Sequence, residues 1–382
     1  MNICIFAPYA DPERGAAIIR VNAFRDFFVQ QGHSVRIIAP KRTGAADFKN
    51  IYRFGNILDL ASFILKNDFD IVLGTSPPLP NNFIALLACK LKRIPFVLDG
   101  KDDAIALLDK KDSGYNSSLK HGIYMLLRRF VYKNANQILV LTKQDAELES
   151  KRYSLPINKF TLVMNGTDDT QIKKDVAERK KLCERFSLSE KEILLVYAGS
   201  FGDEEVIPFL KESSILLKKQ NMHILLILTV DDSKKADVLS QINNTIADLQ
   251  TKSRIHVVLN VPYAEIFTYF SAADIAIIPW PNTLVTSIPT KVFDYMAAEL
   301  PIVAKGPNKC SLASLFAENP NIGFYSGDWP EFNKDIEKLV KSAELRKKIG
   351  ISNRKLVIEK YLRKKSAVTA LNVLESVARK IR

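Results

Sequence analysis

Between two apolar runs, residues 275–279 and 300–304, the chain places Thr286, Ser287, Thr290, Lys291 and Asp294 close together. A carboxylate on the first turns of a helix, beside its phosphate-accepting end, can accept both hydroxyls of a ribose diol. Pro289 or Thr290 should start a helix here, leaving backbone N–H groups at its open end. Asp294 could equally serve as a helix-dipole partner, and both roles stand. Three other places could carry chemistry. In Asp99-Gly-Lys-Asp-Asp103, Asp102 or Asp103 could orient a sugar hydroxyl or take its proton, or one of them could cap the next helix. Tyr197-Ala-Gly-Ser-Phe-Gly202 offers Gly199, Ser200 and Gly202 in a turn open enough to admit a ligand, or a tight turn without one. Arg14-Gly15 precedes a helical pattern, where a glycine lets a phosphate approach backbone amides; a plain turn fits as well. Asp68-Phe-Asp70 precedes its strand and points to the wrong edge, and no cluster has metal-ligand spacing, so no metal site is expected.

The elements that must position these residues alternate. Apolar runs at 2–7, 34–39, 70–75, 96–99, 137–141 and 160–164 read as strands, with helical patterns at 17–31, 79–92, 117–134 and 143–152. A second series of strands follows at 193–198, 224–229, 255–259, 275–279, 302–304 and 323–325. Strands without polar alternation are buried on both faces, which predicts parallel, doubly wound sheets. The expectation is two Rossmann-like domains in tandem, residues 1–165 and 191–360, joined by a linker at 166–190 whose strongly charged part leads into a surface helix. A basic helix at 361–382 follows and could pack back on the first domain. In such sheets ligands sit beyond the carboxyl ends of the strands, where the residues above fall.

The 382 residues are 47% hydrophobic and 25% charged, ordinary globular values that exclude a disordered chain. No apolar run is long enough for a spanning helix, and the first residues lack a basic leader, so a cytoplasmic protein is expected. Cys4, Cys89, Cys183 and Cys310 are scattered and read as free buried thiols. The net charge of +13 is concentrated: residues 341–382 hold 13 basic and 3 acidic side chains, +10 of the total. Either a solvated helix face or contact with an anionic inner leaflet fits that tail. Residues 120–133, basic and aromatic, read as an interfacial helix or, better, as a helix packed on the first sheet. His33, His223 and His256 sit at turns or strand starts and read as structural, whereas His121 has no assigned role.

In their order these pieces resemble the retaining GT-B glycosyltransferases of glycosyltransferase family 4, many of which act in bacterial surface polysaccharide synthesis. The likeness rests on the glycine loop after the first strand, Gly32-His-Ser-Val35, Leu141-Thr-Lys143, Met164-Asn-Gly-Thr-Asp168, Tyr197-Ala-Gly199, Ala273-Asp-Ile-Ala276 and Pro289-Thr-Lys-Val-Phe-Asp-Tyr-Met-Ala-Ala298. It implies a GT-B fold, two Rossmann-like domains facing each other across a cleft. The donor would be a nucleotide diphosphate sugar, UDP- or GDP-linked, held by the second domain. The acceptor, a glycan or lipid-linked saccharide, would be held by the first. It also implies a metal-independent transfer with retention, needing no cofactor beyond the donor itself. Carried over by position, Gly15, Gly199, Ser200, Thr286, Ser287, Thr290, Lys291 and Asp294 bind donor, and Asp102 and Lys291 are catalytic. The family's Glu-x7-Glu pair becomes Thr286 and Asp294 here, and its usual basic pair becomes Ser200 and Glu205. Other cations must then balance the diphosphate, with Arg14, Arg20 and Lys291 the candidates. Where the family's helix ends Ala-Ala-Gly, this chain has Glu299, a cost if the cap is left-handed. A degenerate GT-B scaffold is the alternative. A nucleic-acid-associated basic protein is a weaker one, since no stacking groove or known module accompanies the charge.

Overall fold

Short aliphatic and β-branched runs become strands whose successive side chains face opposite sides of a sheet. The computed structural model describes all residues except 12–15, 43–49, 77, 101–114, 169–175, 203–204, 220, 250 and 381–382. It contains two units: Met1–Asn165 with Arg363–Arg382, and Gly166–Leu362.

The first unit runs β1 (Asn2–Phe6), α1 (Ala16–Gln30), β2 (Ser34–Pro40), β3 (Ile51–Phe54), α2 (Ile57–Lys66), β4 (Ile71–Ser76), α3 (Leu79–Lys92), β5 (Phe96–Gly100), α4 (Tyr115–Asn134), β6 (Gln137–Val140), α5 (Lys143–Tyr153) and β7 (Phe160–Leu162). Its strands form one parallel sheet in the order β3-β2-β1-β4-β5-β6-β7. Alternation along β1 feeds two cores: Ile3 and Ile5 enter one with Phe24 and Phe28 of α1, while Cys4 and Phe6 enter the other with Leu60 and Leu86. Local signals set the helix starts. Asn56 and Asp59 close a capping box on α2, and the Thr142 hydroxyl accepts the Asp145 amide at the head of α5.

The second unit runs α6 (Val176–Phe186), β8 (Ile193–Ser200), α7 (Val206–Lys219), β9 (Met222–Thr229), α8 (Lys235–Asp248), β10 (Ile255–Leu259), α9 (Tyr263–Ala272), β11 (Ile275–Pro279), α10 (Lys291–Ala297), β12 (Ile302–Lys305), α11 (Ser311–Glu318), β13 (Gly323–Ser326), α12 (Trp329–Lys341) and α13 (Ala343–Lys360). Its parallel sheet has the order β10-β9-β8-β11-β12-β13. The chain then enters α14 (Arg363–Arg379), which is part of the first unit. Ala367, Ala370, Leu371, Leu374 and Val377 of α14 share a buried cluster with Val21, Phe24 and Phe28 of α1.

The linker at 166–190 leads into a helix, α6, whose Arg179 donates to the carbonyls of Ala272 and Glu192 and pairs with Asp274, tying it into the second unit. Residues 51–66, assigned no element from sequence, form the edge strand β3 and the helix α2. The basic, aromatic helix α4 buries Val131 and Tyr132 in the first unit's core, and its Arg128 is buried beside Glu149 and Tyr132. That guanidinium is therefore spent inside the fold. Among the described residues no helix is long and apolar enough to cross a membrane.

Candidate active site

The strand order of the second unit reverses between β8 and β11, so the loops after these two strands splay apart and leave a crevice at their carboxyl ends. β8 ends at Gly199 and Ser200; the loop after β11 leads through Thr286 and Ser287 to α10, which begins at Lys291. The end of β8 and the start of α10 meet at one point. A Cβ added to Gly199 would stand 2.6 Å from the Lys291 Nζ, so glycine is what lets the lysine reach the end of β8.

Lys291 Nζ lies 4.0 Å from the centroid of the Tyr197 ring. Burial of the ammonium lowers its pKa to about 8, and the carboxylate of Glu205 offsets part of that shift. Glu205 is itself held, accepting the Tyr197 hydroxyl at 2.8 Å. A second tyrosine, Tyr295, accepts the Ala198 amide at 2.8 Å and fixes α10 against β8. Asp294 is 6% exposed, and its Oδ1 accepts the Tyr263 hydroxyl at 3.1 Å from the head of α9. Thr286 and Ser287 are buried; the Thr286 carbonyl accepts the Ser311 hydroxyl at 2.9 Å, pinning the loop to α11. Thr290 is partly exposed and Ser200 is exposed.

The expected residues thus separate into three sets. Gly199, Ser200, Thr286, Ser287, Thr290, Lys291 and Asp294 all lie on β8, α10 or the loop before α10. Arg14, Gly15 and Asp102 lie outside the described residues. Arg20 belongs to the first unit and is 4% exposed. Its Nε and Nη2 donate to both carboxylate oxygens of Asp99 at 3.1 and 2.8 Å, and the guanidinium also reaches the carbonyls of Val163 and Met164. Its charge is already balanced, so Arg20 locks α1 to the ends of β5 and β7 instead of supplying a free cation. The amides at the start of α10 are also partly used, because Val292 and Phe293 donate to the carbonyls of Pro289 and Thr290.

Tyr197, Glu205, Tyr263 and Tyr295 complete the arrangement and were not assigned these roles from sequence. Tyr263 could have been found, since it follows β10 at the same sheet edge as the other candidates. The cap of α10 is left-handed at Glu299, φ 57°, where the amides of Glu299 and Leu300 donate back to the carbonyls of Met296 and Tyr295.

Residues 178–356, within the second unit, match the family model of glycosyl transferases group 1. No curated protein matches. Among solved structures, the chain is similar to sucrose-phosphate synthase from Thermosynechococcus elongatus, with 13% identity over 99% of both chains and a TM-score of 0.76. A glycosyltransferase from Rickettsia africae aligns at 15% identity over 98% of both chains, TM-score 0.73. Anabaena HepE in complex with UDP and glucose aligns at 11% identity over 98% of this chain and 100% of that one, TM-score 0.77. The chain therefore has the GT-B glycosyltransferase fold, and its second unit carries the match to glycosyl transferases group 1.

Proposed function

We propose that the protein is a glycosyltransferase that moves a sugar from a nucleotide diphosphate donor, UDP- or GDP-linked, to a glycan or lipid-linked acceptor. One observation carries the reading. Lys291, one turn before Asp294 on α10, meets the glycine end of β8 at the sheet's switch point, in the segment that matches group 1 glycosyl transferases. A diphosphate placed there would meet the Lys291 ammonium, and the ribose diol would exchange with Tyr263 for the Asp294 carboxylate. That HepE was solved with UDP and glucose agrees with such a donor. WaaG, a glycosyltransferase of similar fold involved in lipopolysaccharide biosynthesis, agrees with a surface polysaccharide or glycolipid role.

The transfer proceeds with retention by front-face attack and without a metal. The anomeric carbon's bond to the β-phosphate oxygen breaks, the acceptor oxygen bonds the same carbon on the same face, and the acceptor proton passes to the leaving phosphate. Lys291 stabilises the charge that grows on that phosphate, so positioning and electrostatics do most of the work. The enzyme works in the cytoplasm, touching the inner leaflet from the side.

The experiment is a thermal-shift screen of the purified chain against UDP, GDP, ADP, CMP and their sugar conjugates, with and without magnesium. Binding to the native state raises the melting temperature by mass action. The expected result is a shift with one nucleoside diphosphate that does not need magnesium and is lost in Asp294→Ala. A chain that answers to none of them is a scaffold, and the reading fails.

A further inference from the structure

Three neighbouring strands of the second sheet deliver, at the same edge, side chains that the candidate active site does not use. Trp280 follows the last residue of β11, Lys305 ends β12, and Trp329 opens α12 three residues after β13. The strand ends are in register, Pro279 with Lys305 and Lys305 with Ser326. Trp280 and Trp329 are the only tryptophans in the chain, and both line one cavity of about 210 Å³ together with Lys305, Asn282 and Thr283.

Both indoles are fixed before any ligand arrives. The Trp280 Nε1–H donates to the Leu284 carbonyl at 2.7 Å, and its backbone amide donates to the Lys305 carbonyl at 2.6 Å. Trp329 stands edge-on against Phe332, 5.4 Å between ring centroids. Lys305 Nζ lies 5.2 Å from the Trp329 centroid. The nearby Asp328 is occupied, accepting the Glu331 amide as the cap of α12.

The cavity is smaller than the roughly 300 Å³ at which pockets for drug-sized ligands begin, so it suits one ring and not a whole nucleotide. Rigid indole faces favour a ring whose flat side is C–H, while an amide, a hydroxyl and an ammonium favour a rim of oxygens with a negative charge. A sugar acid has both. We propose that this cavity is a saccharide subsite, separate from the nucleotide site, that takes a hexose ring bearing a carboxylate. The inference does not depend on nucleotide binding at Lys291 and Asp294.

Because the chain's only tryptophans line the cavity, intrinsic fluorescence reads it directly. The full chain is titrated with glucuronate, methyl glucoside, UDP and UDP-glucuronate. A saturable change with glucuronate is expected, about fivefold weaker with methyl glucoside. Lys305→Gln should erase that preference while neutral-sugar binding persists, and Trp329→Ala should remove the response that Trp280 still reports. Asp294→Ala should leave the glucuronate titration unchanged, which separates this subsite from the nucleotide site. A response that is linear or absent with glucuronate would overturn the proposal. So would a response confined to UDP or UDP-glucuronate and lost in Asp294→Ala, because the cavity would then belong to the donor.

Discussion

Lys291 sets the account's sharpest expectation at the scale of residues. Burial lowers its pKa to about 8, so the free protein loses the Lys291 charge as pH rises through that value. Nucleoside diphosphate affinity should be steady from pH 6 to 7 and fall above about pH 8; in Lys291→Gln it should be weak and flat. Equal affinity at pH 7 and 9.5 in the wild type would contradict the assignment. The same burial makes the charged lysine costly to fold. Lys291→Met should therefore raise the melting temperature at pH 7, by about 2–4 °C for each kcal/mol recovered, while transfer is lost. Calorimetry beside an activity assay checks both. The helix that carries Lys291 and Asp294 was legible from Pro289 and Thr290 ahead of it. Glu205 and Tyr263 were not. They lie 86 and 31 residues away from the groups they influence, and only the winding of the sheet brings them there.

At the scale of elements, α10 and its surroundings carry a visible compromise. Glu299 holds φ 57° at the helix cap, a conformation in which a side chain costs about 1–2 kcal/mol. Glu299→Gly should recover about 1 kcal/mol, read as a higher denaturation midpoint at unchanged slope. Facing it, Gly350 of α13 packs so close that a Cβ would collide with the Glu299 carbonyl. Gly350→Ala should shift the midpoint the other way and loosen α10. A second local device sits at the starts of β9 and β10, where His223 Nδ1 and His256 Nε2 lie 3.1 Å apart and the rings stack. Burial, then the neighbouring His223, lowers the pKa of His256 to about 4. The unfolded chain takes this proton near pH 6.5, so stability should begin to fall below that pH and continue down to about 4. His256→Gln should flatten that segment of the melting-temperature profile. Apolar run length located the strands with two-sided burial well. It assigned nothing to residues 51–54, because β3 is a four-residue edge strand whose two middle residues are not buried and gives too short a signal.

At the scale of the whole molecule, two parallel sheets with their own cores were legible from the repeated strand–helix alternation. The return of the C-terminal helix to the first domain was an expectation drawn from its place in the chain; in the structure α14 buries an Ala and Leu stripe against α1. Leu371 and Leu374 alone contribute about 3–6 kcal/mol there. Truncation after Leu362 should therefore destabilise the first unit and leave nucleotide binding by the second. Two melting transitions in place of one, with only the upper sensitive to nucleotide, are expected of the truncated chain. The central claim is that the second unit binds a nucleoside diphosphate through Lys291 and Asp294. Isothermal titration of the wild type, Lys291→Ala and Asp294→Ala with the nucleotide selected by the thermal screen tests it most directly. The account predicts one site per chain in the wild type and at least about a tenfold loss in each variant, with unchanged circular dichroism. Wild-type affinity in either variant would contradict it.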